Sequence, residues 1–173
     1  MAALPQCVRD EHSELVARIE LLRTVADRVG SASTETLREG VGQAYTFLIH
    51  QLIPHAQAEE QVWYPAVGRL LRAVEATETM SRDHLEVIRL TEELEALRLH
   101  LFYASLSEPD EQALRRVLYG LYAIIGLHLA KEEIYLPVLE ARLTASEVER
   151  LVKEMESTIG EAKSSLKAID PHE

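Results

Sequence analysis

The stretch Leu52-Ile53-Pro54-His55-Ala56-Gln57-Ala58-Glu59-Glu60-Gln61-Val62 decides how this chain is read. Its apolar residues recur at the spacing of one helix face, yet His55 and Glu59 stand on that same face. They are four residues apart, about one helical turn, so both side chains project toward one point. A similar stretch occurs downstream, where Ile124 leads into His128-Leu129-Ala130-Lys131-Glu132-Glu133. Each is followed shortly by an aromatic residue and a Pro.

Outward from these two segments the apolar pattern is helical almost everywhere. Leu15, Ile19, Leu22, Ala26 and Val29, preceded by Val8, trace a first helix that stops at Gly30. Polar residues from Ser31 to Ser33 offer caps for a second, whose stripe runs Leu37, Val41, Ala44, Leu48, Leu52, Val62, Ala66 and Leu70. Pro54 is expected to kink it, because Pro removes a backbone donor and crowds the preceding turn. A third helix follows Thr77–Thr79, with Met80, Val87, Ile88, Thr91, Leu94 and Leu101 facing inward. Ser107 reads as the cap of a fourth, which carries Leu114, Val117, Leu121, Ile124, Ile125, Val138 and Leu139. Thr144 with Glu147 reads as a capping box for a fifth, which runs to about residue 168.

The connections are short, so successive helices should be antiparallel neighbours. The expected fold is all-α: an up-down-up-down four-helix bundle over residues 8–141 with an additional C-terminal helix over 145–168, in one domain spanning 1–173. The fifth helix is expected to cover the bundle, and self-association or a protein partner through it is the alternative.

Two further imidazoles interrupt the stripes, His12 on the first helix and His84 on the third. Burying four imidazoles and two carboxylates without partners would cost several kcal/mol per charge, and a bound cation would compensate directly. This mixture of nitrogen and oxygen donors suits iron, manganese or zinc better than calcium or copper(I). The spacing argues against coincidence. His12 precedes His55 by 43 residues and His84 precedes His128 by 44, so the chain reads as two similar hairpins, each giving one His and then His plus Glu. His50, His100 and His172 fall outside this arrangement. Glu60 and Glu133 are expected at the surface or orienting a ligand His.

The order His12, His55-x-x-x-Glu59, His84, His128-x-x-x-Glu132 resembles the hemerythrin-like, HHE cation-binding domain family. The resemblance implies a di-iron centre in which Glu59 and Glu132 bridge the metals, with oxo or hydroxo bridging as well. His12 and His55 would lie on one iron, His84 and His128 on the other. Ferritin-like di-iron bundles instead use Glu-x-x-His, which occurs nowhere in this chain. Oxygen-carrying hemerythrins have a His-x-x-x-His pair on the third helix. Here the positions four before and after His84 are Met80 and Ile88, and the second pair ends in Glu rather than a more widely spaced Asp. This reduced His set looks like that of actinobacterial hemerythrin-like proteins. Tyr135, one turn beyond Glu132, and Tyr45, upstream on the second helix, are candidates to fill the missing position or to line its pocket.

An open position favours chemistry over storage. The expected function is therefore reaction with small oxygen species, foremost catalase-like disproportionation of H2O2 in oxidative-stress defence. The alternatives are O2 binding or storage, and sensing of iron, O2 or nitric oxide through a partner. The net charge of −11 makes nucleic acid and anionic membranes unexpected partners. Cys7 is the only cysteine, so no internal disulfide forms. No apolar run approaches the roughly 18 residues of a membrane span, and the cytoplasm is the expected location.

Overall fold

The computed structural model describes residues 4–169, with side chains from residue 12 to 166 apart from those of 138 and 140. His172 and the side chains of Val8 and Val138 lie outside that description. All regular structure among the described residues is helical: α1 (Leu4–Arg28), α2 (Thr34–Phe47), α3 (Ile53–Ala58), α4 (Tyr64–Leu71), α5 (Glu78–Tyr103), α6 (Glu108–Arg142) and α7 (Ala145–Ile169). Segments α2, α3 and α4 form one helical rod, because π-helical turns at Leu48–Leu52 and Glu59–Trp63 join them without a break.

The caps behave as the sequence implies. The Ser33 hydroxyl accepts from the Thr36 amide. Ser107 and Asp110 form a capping box ahead of α6. Thr144 and Glu147 do the same ahead of α7, with the Thr144 amide donating to Glu147 Oε2 over 2.8 Å. Gly30 ends α1 at φ +79°, a conformation that other residues adopt only with strain.

Four rods close into a ring: α1 against α2, α2 against α5, α5 against α6, and α6 against α1. Side-chain ties fix their directions. Tyr122 and Tyr119 of α6 donate to Glu20 and Asp27 of α1, so rising numbers on one helix meet falling numbers on the other. Arg116 and Lys131 of α6 reach Glu93 and Asp83 of α5 in the same reversed order. On α2, Arg38 donates to the Leu101 carbonyl, while Glu60 beyond it meets His84. Neighbours are therefore antiparallel. The fifth helix, α7, lies along α3, both π-turns and α1, burying Val148 and Leu151.

The apolar interior is divided in two. The larger part runs from Leu15 to Val29 on α1, through Leu37–Leu52, Val87–Leu101 and Leu114–Leu129. The smaller gathers Trp63, Tyr64, Val67, Met80, Leu136, Leu139 and Val148. On α2–α4, α5 and α6 the passage from one to the other falls at the His and Glu positions, and on α1 His12 caps the larger part. A polar layer thus lies between two apolar ones.

Helical structure continues through Pro54, by way of a π-turn closed by the Ile53 amide on the Leu48 carbonyl. Two local expectations need correction. Each π-turn also adds a residue to the turn, so the buried stripe moves from Val62 and Leu70, which are half-buried, to Trp63, Tyr64 and Val67. Ile88 is not buried with the inner face but stands at its edge, 37% exposed. Contrary to the expectation of no membrane-length apolar run, Glu108–Pro137 of α6 is long and apolar enough to cross a membrane by length and composition alone.

Candidate metal centre

His12, His55, Glu59, His84, His128 and Glu132 are all brought into the polar layer, and all are buried. Their ligating atoms fall into two adjoining groups: His12, His55, Glu59 and Glu132, and Glu59, His84 and His128, each within 4.8 Å. Glu59 belongs to both. Its Oε1 lies 2.9 Å from His55 Nε2, and its Oε2 lies 3.2 Å from His84 Nε2 and 3.8 Å from His128 Nε2. Glu132 closes the other side, with Oε2 3.3 Å from His12 Nε2 and Oε1 3.5 Å from His128 Nε2.

Carboxylates set the orientation of two imidazoles from behind. His84 Nδ1 is 2.8 Å from Glu60 Oε1, and Glu60 Oε2 accepts from the Ser81 hydroxyl at 2.9 Å. His128 Nδ1 is 3.3 Å from Asp83 Oδ2, which Lys131 clamps at 2.5 Å. A ring that donates its Nδ1 proton to a carboxylate turns an Nε2 lone pair toward the centre. The Nε2 atoms of His84 and His128 then face each other across 3.0 Å. Two lone pairs at that distance repel unless a proton or a metal ion lies between them.

The same need for positive charge appears in the ionisation of the groups. Burial works against a charge on His128, but hydrogen bonds and charges from Glu132 and Glu59 outweigh it and hold its pKa up to about 10. Burial would raise the Glu59 carboxyl, yet the charge of His55 and hydrogen bonds from His128, His55 and His84 keep it well below the usual carboxylate range. Neither ring nitrogen of His12 nor Glu132 Oε2 makes a well-aligned hydrogen bond among the described residues, although all are buried. Buried polar atoms close together but misaligned for one another are what converging metal ligands leave behind. The residues present fit non-haem metal ions.

Tyr64 is the residue that sequence reading missed. Burial, then the charges of Glu59 and Glu132, push its phenol far above the ordinary range, so it stays protonated and donates to Glu132 Oε1 at 2.9 Å. Its oxygen is also 3.2 Å from His128 Nε2 and 3.4 Å from His84 Nε2, and its ring stacks on His84. Counted in α-helical turns, Tyr64 is off the face of Glu59. The π-turn brings it round, because the Tyr64 amide bonds the Glu59 carbonyl five residues back.

Tyr135 and Tyr45 are placed elsewhere. The Tyr135 hydroxyl donates to the Ala76 carbonyl at 2.7 Å. Tyr45 packs against the larger core with the Arg98 guanidinium 4.7 Å above its ring. Glu133 is exposed, and His100 faces Asp110 at the surface. Among the described residues two clefts adjoin the centre. One of about 630 Å³ is lined by Tyr64 and Glu60 together with Arg69 and Arg72. The other, of about 390 Å³, reaches His55 between Arg18, His50 and Lys163.

A helical bundle holding a buried imidazole–carboxylate centre at mid-height is the class of protein this geometry defines. The sequence matches the hemerythrin HHE cation-binding domain over residues 6–139, and the chain belongs to that family. No curated protein and no solved structure matches it.

Proposed function

We propose that this chain holds two non-haem iron ions and uses them on small oxygen species, disproportionating peroxide to water and O2. One observation carries the reading: two buried donor groups share Glu59 and are closed by Glu132, a layout for two adjacent metals. His12, His55, Glu59 and Glu132 would hold the first, and His84, His128 and Glu59 the second. A bound pair of irons supplies the two-electron exchange that breaking an O–O bond requires. Two peroxides balance the reaction, since one is oxidised to O2 while the other is reduced to two waters.

The protein's own contribution is positional. Glu60 and Asp83 fix the two imidazoles behind which they stand. The Tyr64 phenol, from a residue that lines the larger cleft, keeps a proton beside Glu132. Apolar layers above and below exclude bulk water from the rest of the centre. A sensing role is the second reading, favoured by α7 resting on the segment that carries His55 and Glu59. Metal loading there would register in α7.

The test is O2 release from peroxide by protein loaded with iron, set against the same iron without protein. Turnover above free iron, reduced at least tenfold in Glu59→Ala, supports the enzyme. Full iron loading with no such turnover, but altered hydrogen exchange in α7, rejects it in favour of the sensor.

A further inference from the structure

By helical spacing Tyr119, Gly126, Leu127, Ala130, Ile134 and Pro137 share the side of α6 turned away from the core. All are exposed, Leu127 by 64% and Ile134 by 70%. This outward stripe is why α6 is apolar enough for a membrane span while only 39% of that window is buried. Val16 widens the stripe: it is half exposed and shares a side of α1 with Glu20 and Asp27, the residues that Tyr122 and Tyr119 reach. Charged groups line both edges. Arg89, Glu93 and Arg116 stand toward α5, and Glu20, Arg23 and Asp27 toward α1. An apolar centre within a charged rim is the anatomy of a protein interface.

The charges on the stripe itself identify the occupant. Arg116 and Glu133 stand near its two ends, 17 residues apart, or about 25 Å along the helix. Glu133 has no hydrogen bond or ion pair among the described residues. A second α6 laid antiparallel, crossing between Ala123 and Gly126, sets Arg116 of each copy opposite Glu133 of the other. Twofold symmetry makes the pair twice. The crossing falls on the smallest side chains of the stripe, and even a Cβ added at Gly126 would meet nothing within 4 Å. An anionic membrane is the poorer occupant, since the rim carries acids and the chain's net charge is −11.

We propose that the outward face of α6 is a twofold interface to a second copy of this chain, antiparallel and closed by reciprocal Arg116–Glu133 pairs. Turned about that crossing, the two stripes overlap from Tyr119 to Ala130, about 17 Å, and the remainder of each meets residues 112–118 of the other copy. A surface of this size lies at or below the lower bound for a specific interface, so the dimer is weak and concentration-dependent. The inference rests on this surface alone and does not depend on the metal reading.

Sedimentation velocity across the micromolar range tests it. The wild-type chain is expected to shift from monomer to dimer with concentration. Leu127→Glu, on an exposed position that leaves helicity unchanged, should raise the dissociation constant at least tenfold. Arg116→Glu should weaken the dimer comparably, and adding Glu133→Arg to it should recover most of the loss. Both of those variants lack the Arg116–Glu93 pair, so the comparison isolates the contact between copies. A monomer at every concentration overturns the proposal. So does a double charge reversal no better than the single one, which would leave the face unassigned to self-pairing. Flotation of the wild-type chain with phosphatidylserine vesicles, lost in Leu127→Glu, would assign the face to lipid and overturn it as well.

Discussion

Replacing Glu59 by Ala should empty both donor groups, whereas replacing Glu132 by Ala should empty only one. Glu59 is common to the two groups, and Glu132 belongs to the one with His12 and His55. A four-donor protein site binds its metal with about 10–16 kcal/mol, or about 3–4 kcal/mol per donor. Losing one charged donor therefore costs about two to three decades of affinity. Without Glu59 the second group keeps only His84 and His128, and the first keeps three donors with His55 deprived of its 2.9 Å partner. Without Glu132 the second group keeps its three donors, and His128 Nε2 loses only the carboxylate oxygen 3.5 Å away.

The assay is metal content by elemental analysis, paired with thermal unfolding with and without chelator. Metal at a hundredfold its dissociation constant adds about 2.7 kcal/mol to stability. For a chain of this length each kcal/mol moves the midpoint by about 2–4 °C, so loading should raise Tm by about 5–10 °C for each site filled, about 10–20 °C for both. That increment should vanish in Glu59→Ala, fall by about half in Glu132→Ala, and persist in His100→Ala. Comparing each variant with its own chelated form removes any effect on the metal-free fold. Equal metal content and equal Tm increments in Glu59→Ala and His100→Ala would refute the assignment. Equal losses in the two Glu variants would refute the unequal roles of the two carboxylates and make Glu132, like Glu59, shared by both groups.

Tyr64→Phe should keep its metal while losing the proton held beside Glu132, so peroxide turnover should fall with metal content unchanged. Unchanged turnover at equal metal content would show that this proton takes no part in the reaction. Asp83→Asn should lower metal affinity by about 10–100-fold, because His128 loses the carboxylate that orients it; competition with a chelator reads this directly. In the metal-free chain His128 is protonated up to about pH 10, while a metal ion requires the neutral ring. Loading should therefore release a proton at neutral pH, and apparent affinity should weaken as pH falls. Calorimetry in buffers of different ionisation heat would expose a loading step with no proton release, contrary to this reasoning. The raised His128 pKa also stabilises the metal-free fold below about pH 6.5, and that contribution should fade as pH rises toward 10.

The sequence alone determined the helical class, the antiparallel order of the rods, the caps at Ser107 and Thr144, and the six residues that meet in the polar layer. It could do so because those features depend on spacings within uniform α-helical turns, and the ligand pairs lie one such turn apart. What only the tertiary structure decided lies where that uniformity fails or where separate helices meet. The π-turn at Glu59–Trp63 shifts the register by one residue, so Tyr64 enters the centre while Val62 and Leu70 leave the buried stripe. Tyr135 looked eligible by α-helical counting, yet a carbonyl of the segment before α5 captures its hydroxyl. Asp83 adjoins a His on its own helix but serves the His of another, a relation that depends on how α5 lies against α6. The exposed side of α6 is likewise a matter of packing. An apolar stripe in a sequence does not say whether it meets the interior or solvent, because that depends on how many neighbours the bundle supplies around it.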